Sequence, residues 1–231
     1  MDHEALLYAD PLQRSCAIVV EVTDEFKADT GLLSHEEKTK ALRLRTPEAQ
    51  RNFYARRTLL RRLLAHWSNT TPAALPSFDH NPFGKPILAG SPIHFNISHS
   101  KHYFAFYFGP GEGGIDIEVM SDTGSFMAIR EEHFHPEEIP MSKNDEGFYT
   151  IWTRKEAVLK AAGTGLTEGL NTLDCSSSFC AVNDHRFSLF TRTHAHTVCS
   201  IALAQPTGPD CEWYFVSARN LERELTSAAA Q

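Results

Sequence analysis

Six residues near the middle of the chain, Gly114-Ile115-Asp116-Ile117-Glu118-Val119, place an acid at every second position from Asp116. A period of two belongs to a β-strand, whose successive side chains point to opposite faces. Ile115, Ile117 and Val119 therefore enter a core, while Asp116 and Glu118 project together from the other face. Two adjacent carboxylates repel, and beside a core that repulsion is costly unless a cation offsets it. Mg²⁺ suits hard oxygen ligands and ordinarily keeps several of its waters. A solvent-exposed strand face accounts for the same pair without any metal.

The rest of the chain reads as helices and short strands in mixed order. Cys16–Val22 is an almost unbroken apolar run, a buried strand. Ser34 with Glu37 forms a capping-box signature for a helix reaching about Leu44. Pro47 opens a longer helix to Trp67, with Phe53, Leu59, Leu60, Leu63 and Leu64 as its apolar stripe. Residues 69–92 carry five prolines and read mostly as loop. Two strands, His94–Ile97 and Tyr103–Phe108, flank a polar turn at Ser98–Lys101. A helix follows from about Glu146 to Ala162, capped by Asp145 and closed by Gly163. Short strands fill Phe179–Ala204 and Trp213–Ser217, and Leu221–Gln231 reads as a fraying helix. This pattern predicts an α+β fold of two similar lobes, 1–110 and 111–231. Each lobe is a small, mostly antiparallel sheet with a packed helix; Phe104–Phe108 and Cys199–Leu203 are either equivalent strands of a repeat or parts of two unrelated meanders. Gly111-Glu112-Gly113-Gly114 reads as a flexible lead-in to the acidic strand.

Composition narrows the function. The 231 residues carry 22 Lys+Arg against 29 Asp+Glu, a formal charge of -7, which argues against coating nucleic acid. No apolar run approaches the roughly 20 residues of a membrane span. The opening MDHEALLYADPL has neither the basic lead nor the apolar run of an export signal, so a soluble cytoplasmic protein is expected. Five cysteines without a CxxC pair read as buried thiols, and neither His94/His99 nor His133/His135 has a convincing zinc spacing.

Three further groups of residues carry chemistry. Trp152, Glu156 and Lys160 share one helix face at i, i+4 and i+8, either a surface ion pair or a third carboxylate beside the first two. Nine basic residues between Lys38 and Arg62 face a single acid, Glu48, forming either a solvated helix surface or a receiver for a small polyanion. Asn96-Ile97-Ser98-His99-Ser100, with Gly84-Lys85-Pro86, offers hydroxyls, an imidazole and backbone N–H groups suited to phosphate oxygens. Ser98 and His99 are sequence neighbours, poor geometry for a nucleophile and its base.

Taken in order, four blocks resemble the 4′-phosphopantetheinyl transferases of the two-lobed, surfactin-synthetase-activator type. They are Gly84-Lys85-Pro86, Asn96–Ser100, Gly114–Glu118 and Trp152-x-x-Lys155-Glu156-Ala157-x-x-Lys160-Ala161-x-Gly163-x-Gly165-Leu166. Arg57-Thr58-Leu59-Leu60 resembles a further N-terminal block. The resemblance implies transfer of phosphopantetheine from coenzyme A to a serine of an acyl or peptidyl carrier protein, with release of 3′,5′-ADP. It implies Mg²⁺, or Mn²⁺, on Asp116, Glu118 and Glu156. Arg57, and less directly Lys38, would take the 3′-phosphate, and Gly84, Lys85 and Pro86 would lie against the adenine. His99 with Lys155 would hold the pyrophosphate, and Ser98 would be a further residue binding coenzyme A. Glu156 would act as base and Lys160 would stabilise the departing nucleotide. Phe126 and Met127 are expected to dock the carrier, and the enzyme is expected to be a monomer. A coenzyme-A-binding module without chemistry and a metal-dependent phosphohydrolase remain the alternatives.

Overall fold

The computed structural model describes residues 3–88, 90–121, 126–163, 169–182, 184–205 and 210–228. Its elements are β1 (Ser15–Glu21), α1 (His35–Leu42), α2 (Pro47–Trp67), β2 (Asp79–His80), β3 (Pro86–Ile87), β4 (His94–Ser100) and β5 (Tyr103–Gly109). They continue with β6 (Gly113–Val119), α3 (Phe126–His133), α4 (Asp145–Ala162), β7 (Phe179–Val182), β8 (His185–His194), β9 (Thr197–Ala204), β10 (Cys211–Ser217) and α5 (Ala218–Ala228). Two four-stranded sheets, ordered β10-β1-β5-β4 and β6-β9-β8-β7, make an α+β fold. In both, an opening strand pairs antiparallel with the second strand of a later hairpin: β1 with β5, and β6 with β9.

Alternation along each strand divides the core into layers. Ile18, Val20, Phe104, Phe106 and Phe108 pack on Leu59, Leu60, Leu63 and Leu64 of α2. The intervening residues Ala17, Val19, Ala105 and Tyr107 face Ile115, Ile117, Cys199, Ile201 and Leu203 of the second sheet. Behind that sheet, Ala157, Val158 and Ala161 of α4 pack on Phe187, Leu189 and Ala202. The order is helix, sheet, sheet, helix, and each fully buried leucine contributes about 1.5–3 kcal/mol. Among the described residues no helix is long and apolar enough to cross a membrane. All five cysteines are free, four of them buried.

Several expectations shift on contact with the structure. The capping box forms as read, Glu37 N–H donating to Ser34 Oγ and Ser34 N–H to Glu37 Oε2. Helix α4 is capped one residue earlier than expected, by Asn144, whose side chain accepts from Gly147 N–H. Strand β4 runs through Ser98 and Ser100, so the turn falls at Lys101, whose φ is +50°. The end of the chain crosses the expected division at residue 110. Strand β10 returns to pair in parallel with β1, and Leu221 and Leu225 of α5 pack on the α2 side of the first sheet. The glycine-rich lead-in is a close-packed crossing: a Cβ on Gly113 would meet the Tyr107 ring at 2.4 Å, and one on Gly114 the Ala157 carbonyl at 2.1 Å. Missing side chains, not mobility, are what this crossing requires.

One buried ion pair fastens the loops around α4. Lys155 Nζ lies 2.8 Å from Glu138 Oε2, both side chains fully buried. Lys155 also donates to the carbonyls of Leu170 and Leu173. Glu138 accepts from the backbone N–H groups of His135 and Cys175, each at 2.7 Å. Every charge-bearing atom thus has partners, the condition under which a buried pair is tolerated.

Two stability outcomes follow. Gly114→Ala should cost about 3 kcal/mol or more in urea unfolding, because the clash is with backbone that cannot rotate away. Glu138→Ala should cost about 3–5 kcal/mol by stranding the Lys155 charge, whereas Glu112→Ala, which removes a half-exposed partner of Lys85, should cost under about 1 kcal/mol.

Candidate functional site

The two sheets meet along β4 and β6, and polar side chains join them there. Asn96, Ser98 and Ser100 stand opposite Tyr107, Ala105 and Tyr103, so all three project from the inner face of the first sheet. Asn96 Oδ1 accepts from Ile115 N–H at 2.9 Å. Ser98 Oγ donates to Asp116 Oδ1 at 2.7 Å. Ser100 Oγ donates to Glu118 Oε2 at 2.7 Å and accepts from Val119 N–H at 3.1 Å. Because β6 alternates, the residues that receive two of these hydroxyls are the carboxylates of its polar face.

Helix α4 supplies the remaining charges. Lys160 Nζ lies 2.5 Å from Asp116 Oδ1 and 2.9 Å from Ser98 Oγ. Asp116 Oδ2 is buried without a hydrogen-bond partner among the described residues. Burial raises the pKa of Glu118; repulsion from Asp116 and Glu156 adds to this, while the Ser100 hydroxyl and Lys160 oppose it. Burial also raises Glu156, helped by repulsion from Asp116. Three carboxylates with a single ammonium among them form a pocket of excess negative charge, although no ready-made cage of three acid, histidine or cysteine ligands exists among the described residues.

This charged end opens into a cleft of ≈ 320 Å³. Phe83, Gly84, Lys85 and Pro86 form one wall, Asn96 and Ile97 the floor, and Glu156, Leu159, Lys160 and Gly163 the other wall. Gly84 takes a φ of +86°, which only glycine adopts without strain. Lys85 Nζ reaches Glu112 Oε2 at 2.6 Å, with His94 on the other oxygen at 3.1 Å. Burial pushes the Glu112 pKa up, but Lys85 and His94 outweigh it and the group stays below its ordinary range.

Of the expected residues, Gly84, Lys85, Pro86, Glu156 and Lys160 line the cleft, Ser98 and Asp116 adjoin it through their contacts with Lys160, and Glu118 lies two residues farther along β6. Other expected site residues lie elsewhere. Lys155 is withdrawn into its pair with Glu138, because it points about 100° around the helix from Glu156. Arg57 is 4% exposed, not offered to a polyanion: it lies between the rings of Phe53 and Phe78, 3.7 Å from Glu37. The reason is helical spacing, since Phe53, Arg57, Leu60 and Leu64 share the core side of α2. Lys38 is half-buried, whereas Lys40, Arg43, Arg45 and Arg51 are exposed. His99 occupies the face of β4 opposite Ser98, its ring tilted against Phe104. Phe126, half-buried, stacks on Phe148 at 4.3 Å against a core cluster, leaving Met127, 62% exposed, as the outward residue of that pair. Gly165 and Leu166 lie outside the described residues. Ser100 and Asn96 as carboxylate and strand anchors were not anticipated; their signal was the alternation of polar residues along 96–100.

Comparison with known proteins bears on the same segment. Residues 113–213, which hold the acidic strand and α4, match the sequence profile of the 4′-phosphopantetheinyl transferase superfamily. The chain is 36% identical to slr0495 of Synechocystis sp. over 152 residues, 61% of each protein. It is 33% identical over 147 residues to HetI of Nostoc sp., named a 4′-phosphopantetheinyl transferase, covering 59% of this chain and 62% of that one. The match therefore spans about three fifths of the length of these two curated relatives. To the 4′-phosphopantetheinyl transferase AcpT of Salmonella typhi it is 33% identical over 141 residues, 57% of this chain and 69% of the relative. With more than two thirds of that enzyme matched, and with the acidic strand and helix α4 inside the profile match, the chain belongs to the 4′-phosphopantetheinyl transferase superfamily.

Proposed function

We propose that this chain transfers 4′-phosphopantetheine from coenzyme A to a serine hydroxyl of an acyl or peptidyl carrier protein. The observation that carries the reading is the unpartnered buried oxygen of Asp116, set among Glu118, Glu156 and Lys160 at the charged end of the cleft. An apolar-walled cleft ending in such a pocket suits a nucleotide that carries a pyrophosphate. A binding module without chemistry has no use for three carboxylates that destabilise one another. A divalent cation fits this donor set, because Asp116 Oδ2 has no donor among the described residues and burial with mutual repulsion disfavours the ionised forms of Glu118 and Glu156. Asp116, Glu118 and Glu156 would hold it, Mg²⁺ first and Mn²⁺ as an alternative, and when bound it would neutralise charge on phosphate oxygens.

The chain's own residues divide the remaining work. The serine oxygen forms a bond to the phosphorus next to the pantetheine arm as the bond to the 3′,5′-ADP oxygen breaks. Glu156, its basicity raised by burial, takes the serine proton. Lys160 offsets charge on the leaving pyrophosphate oxygen. Gly84, Lys85 and Pro86 flank the adenine, and Ser98 orients Lys160 through its hydroxyl. Met127 offers an apolar anchor for the carrier, a role for which its flexible thioether suits more than one partner. The two helix-backed sheets are the paired lobes, with the site between them. We read the enzyme as a cytoplasmic monomer, because its free thiols suit a reducing compartment and one chain supplies both walls of the cleft.

Mass spectrometry of an apo carrier protein incubated with coenzyme A and Mg²⁺ tests the reading directly: one phosphopantetheine should be gained, and none would overturn it. Asp116→Asn should keep its thermal midpoint within a few degrees and lose on the order of 100-fold or more in turnover. Met127→Ala should raise KM for the carrier about fivefold, the equivalent of ~1 kcal/mol, and leave KM for coenzyme A unchanged. Phe126→Ala should instead lower the thermal midpoint, because its ring packs against the buried cluster around Phe148.

A further inference from the structure

The two walls of the cleft come from parts of the chain about eighty residues apart, and one side chain spans them. Asn81 begins the turn that presents Gly84, Lys85 and Pro86. Its backbone N–H donates to Lys85 O at 2.9 Å, and its carbonyl accepts from Gly84 N–H at 2.9 Å. Its side-chain Oδ1 accepts from the N–H groups of both Phe83 and Lys85, each at 2.9 Å. The amide's other end faces across the cleft, Nδ2 donating to Gly163 O at 3.1 Å. Gly163 ends α4 in the left-handed conformation, three residues after Lys160. The orientation of the amide is dictated by its partners: reversing it would set NH₂ against two N–H groups and oxygen against a carbonyl.

Three features make this a built connection. Gly163 caps α4 by donating to Leu159 O at 3.0 Å, so the carbonyl that Asn81 holds belongs to a fixed helix end. A Cβ at Gly163 would stand 3.0 Å from Asn81 Nδ2, so the two residues are close-packed as well as hydrogen-bonded. Lys85 and Gly163 face each other across the cleft, and both line it. We infer that Asn81 is a positioning residue that builds the nucleotide-side turn with one atom and ties it to the end of the catalytic helix with the other, thereby fixing the width of the cleft. The inference rests on the reading that this cleft takes coenzyme A.

The two halves of the amide can be separated experimentally. Asn81→Asp keeps the oxygen that accepts from Phe83 and Lys85, but sets a carboxylate oxygen against the Gly163 carbonyl, at the negative end of α4. Asn81→Ala removes both functions. Coenzyme A binding is measured by calorimetry on the full-length protein, with steady-state kinetics on an apo carrier and hydrogen exchange over residues 81–86. Asn81→Asp should weaken coenzyme A about five- to tenfold, the loss falling on KM for coenzyme A and not on KM for the carrier, with residues 81–86 still protected. Asn81→Ala should show the same weakening and also lose that protection. If wild type binds coenzyme A and Asn81→Asp binds it equally well, the inference falls and the reading of the cleft stands. If wild type binds no coenzyme A, the reading of the cleft falls and the inference with it. A drop in thermal midpoint with equal losses for both substrates would make Asn81 a residue of the fold alone and would also overturn the inference.

Discussion

Two strands that share no backbone ladder are held side by side by Asn96, Ser98 and Ser100, and the geometry of the site depends on that seam. A continuous sheet across β4 and β6 would have used backbone groups and left the side chains free. Here the side chains of one edge supply the bonds, so the sheets turn face to face and still stay joined. Hydrogen bonds to charged acceptors contribute about 1.5–3 kcal/mol, more than the ~1 kcal/mol of a neutral one. The two rungs that end on carboxylates are therefore the stronger ones. The seam and the acidic pocket are the same atoms, which explains how residues from β4, β6 and α4 converge on Asp116.

That economy has a cost in stability. Glu118 and Glu156 have pKa values raised above those of an unfolded chain, so the folded form holds their protons more tightly. Between the ordinary carboxylate range and the raised values, stability falls as pH rises, and it is regained as pH drops back through that window. The direction is opposite to that of an ordinary salt-bridged acid. At neutral pH the free protein carries this repulsion in full, and anything cationic that enters the pocket relieves it. Lys160 already does so in part, from one side of Asp116.

Much of this arrangement was legible from spacing alone. The period of two at 114–119 placed Asp116 and Glu118 on one face, and the i, i+4, i+8 spacing placed Glu156 beside Lys160. The same rule read strictly would have separated Lys155 from them, since it falls on the side of Ile151 and Val158; motif resemblance outweighed helical geometry there. Arg57 was misplaced for a similar reason, a charge on the core side of α2 being tolerated only because Glu37 and two aromatic rings surround it. Nothing local in Cys211–Ser217 says which sheet it will join, because parallel pairing is decided by a partner nearly two hundred residues away. Asn81 was hidden in a proline-rich stretch read as loop, where the bonds of one amide matter more than any periodicity.

The parallel pairing of β1 with β10 has a consequence for how the protein is made. Ser15 sits opposite Cys211, so β1 leaves the ribosome about two hundred residues before the strand it pairs with in parallel. At about 5–20 residues per second the wait is roughly 10–40 s. Throughout it, the Ala-Ile-Val-Val segment of β1 has at least one bare edge, the kind of strand that pairs with whatever chain comes near. Whatever shields that edge during synthesis therefore favours soluble protein, independently of the stability of the finished fold.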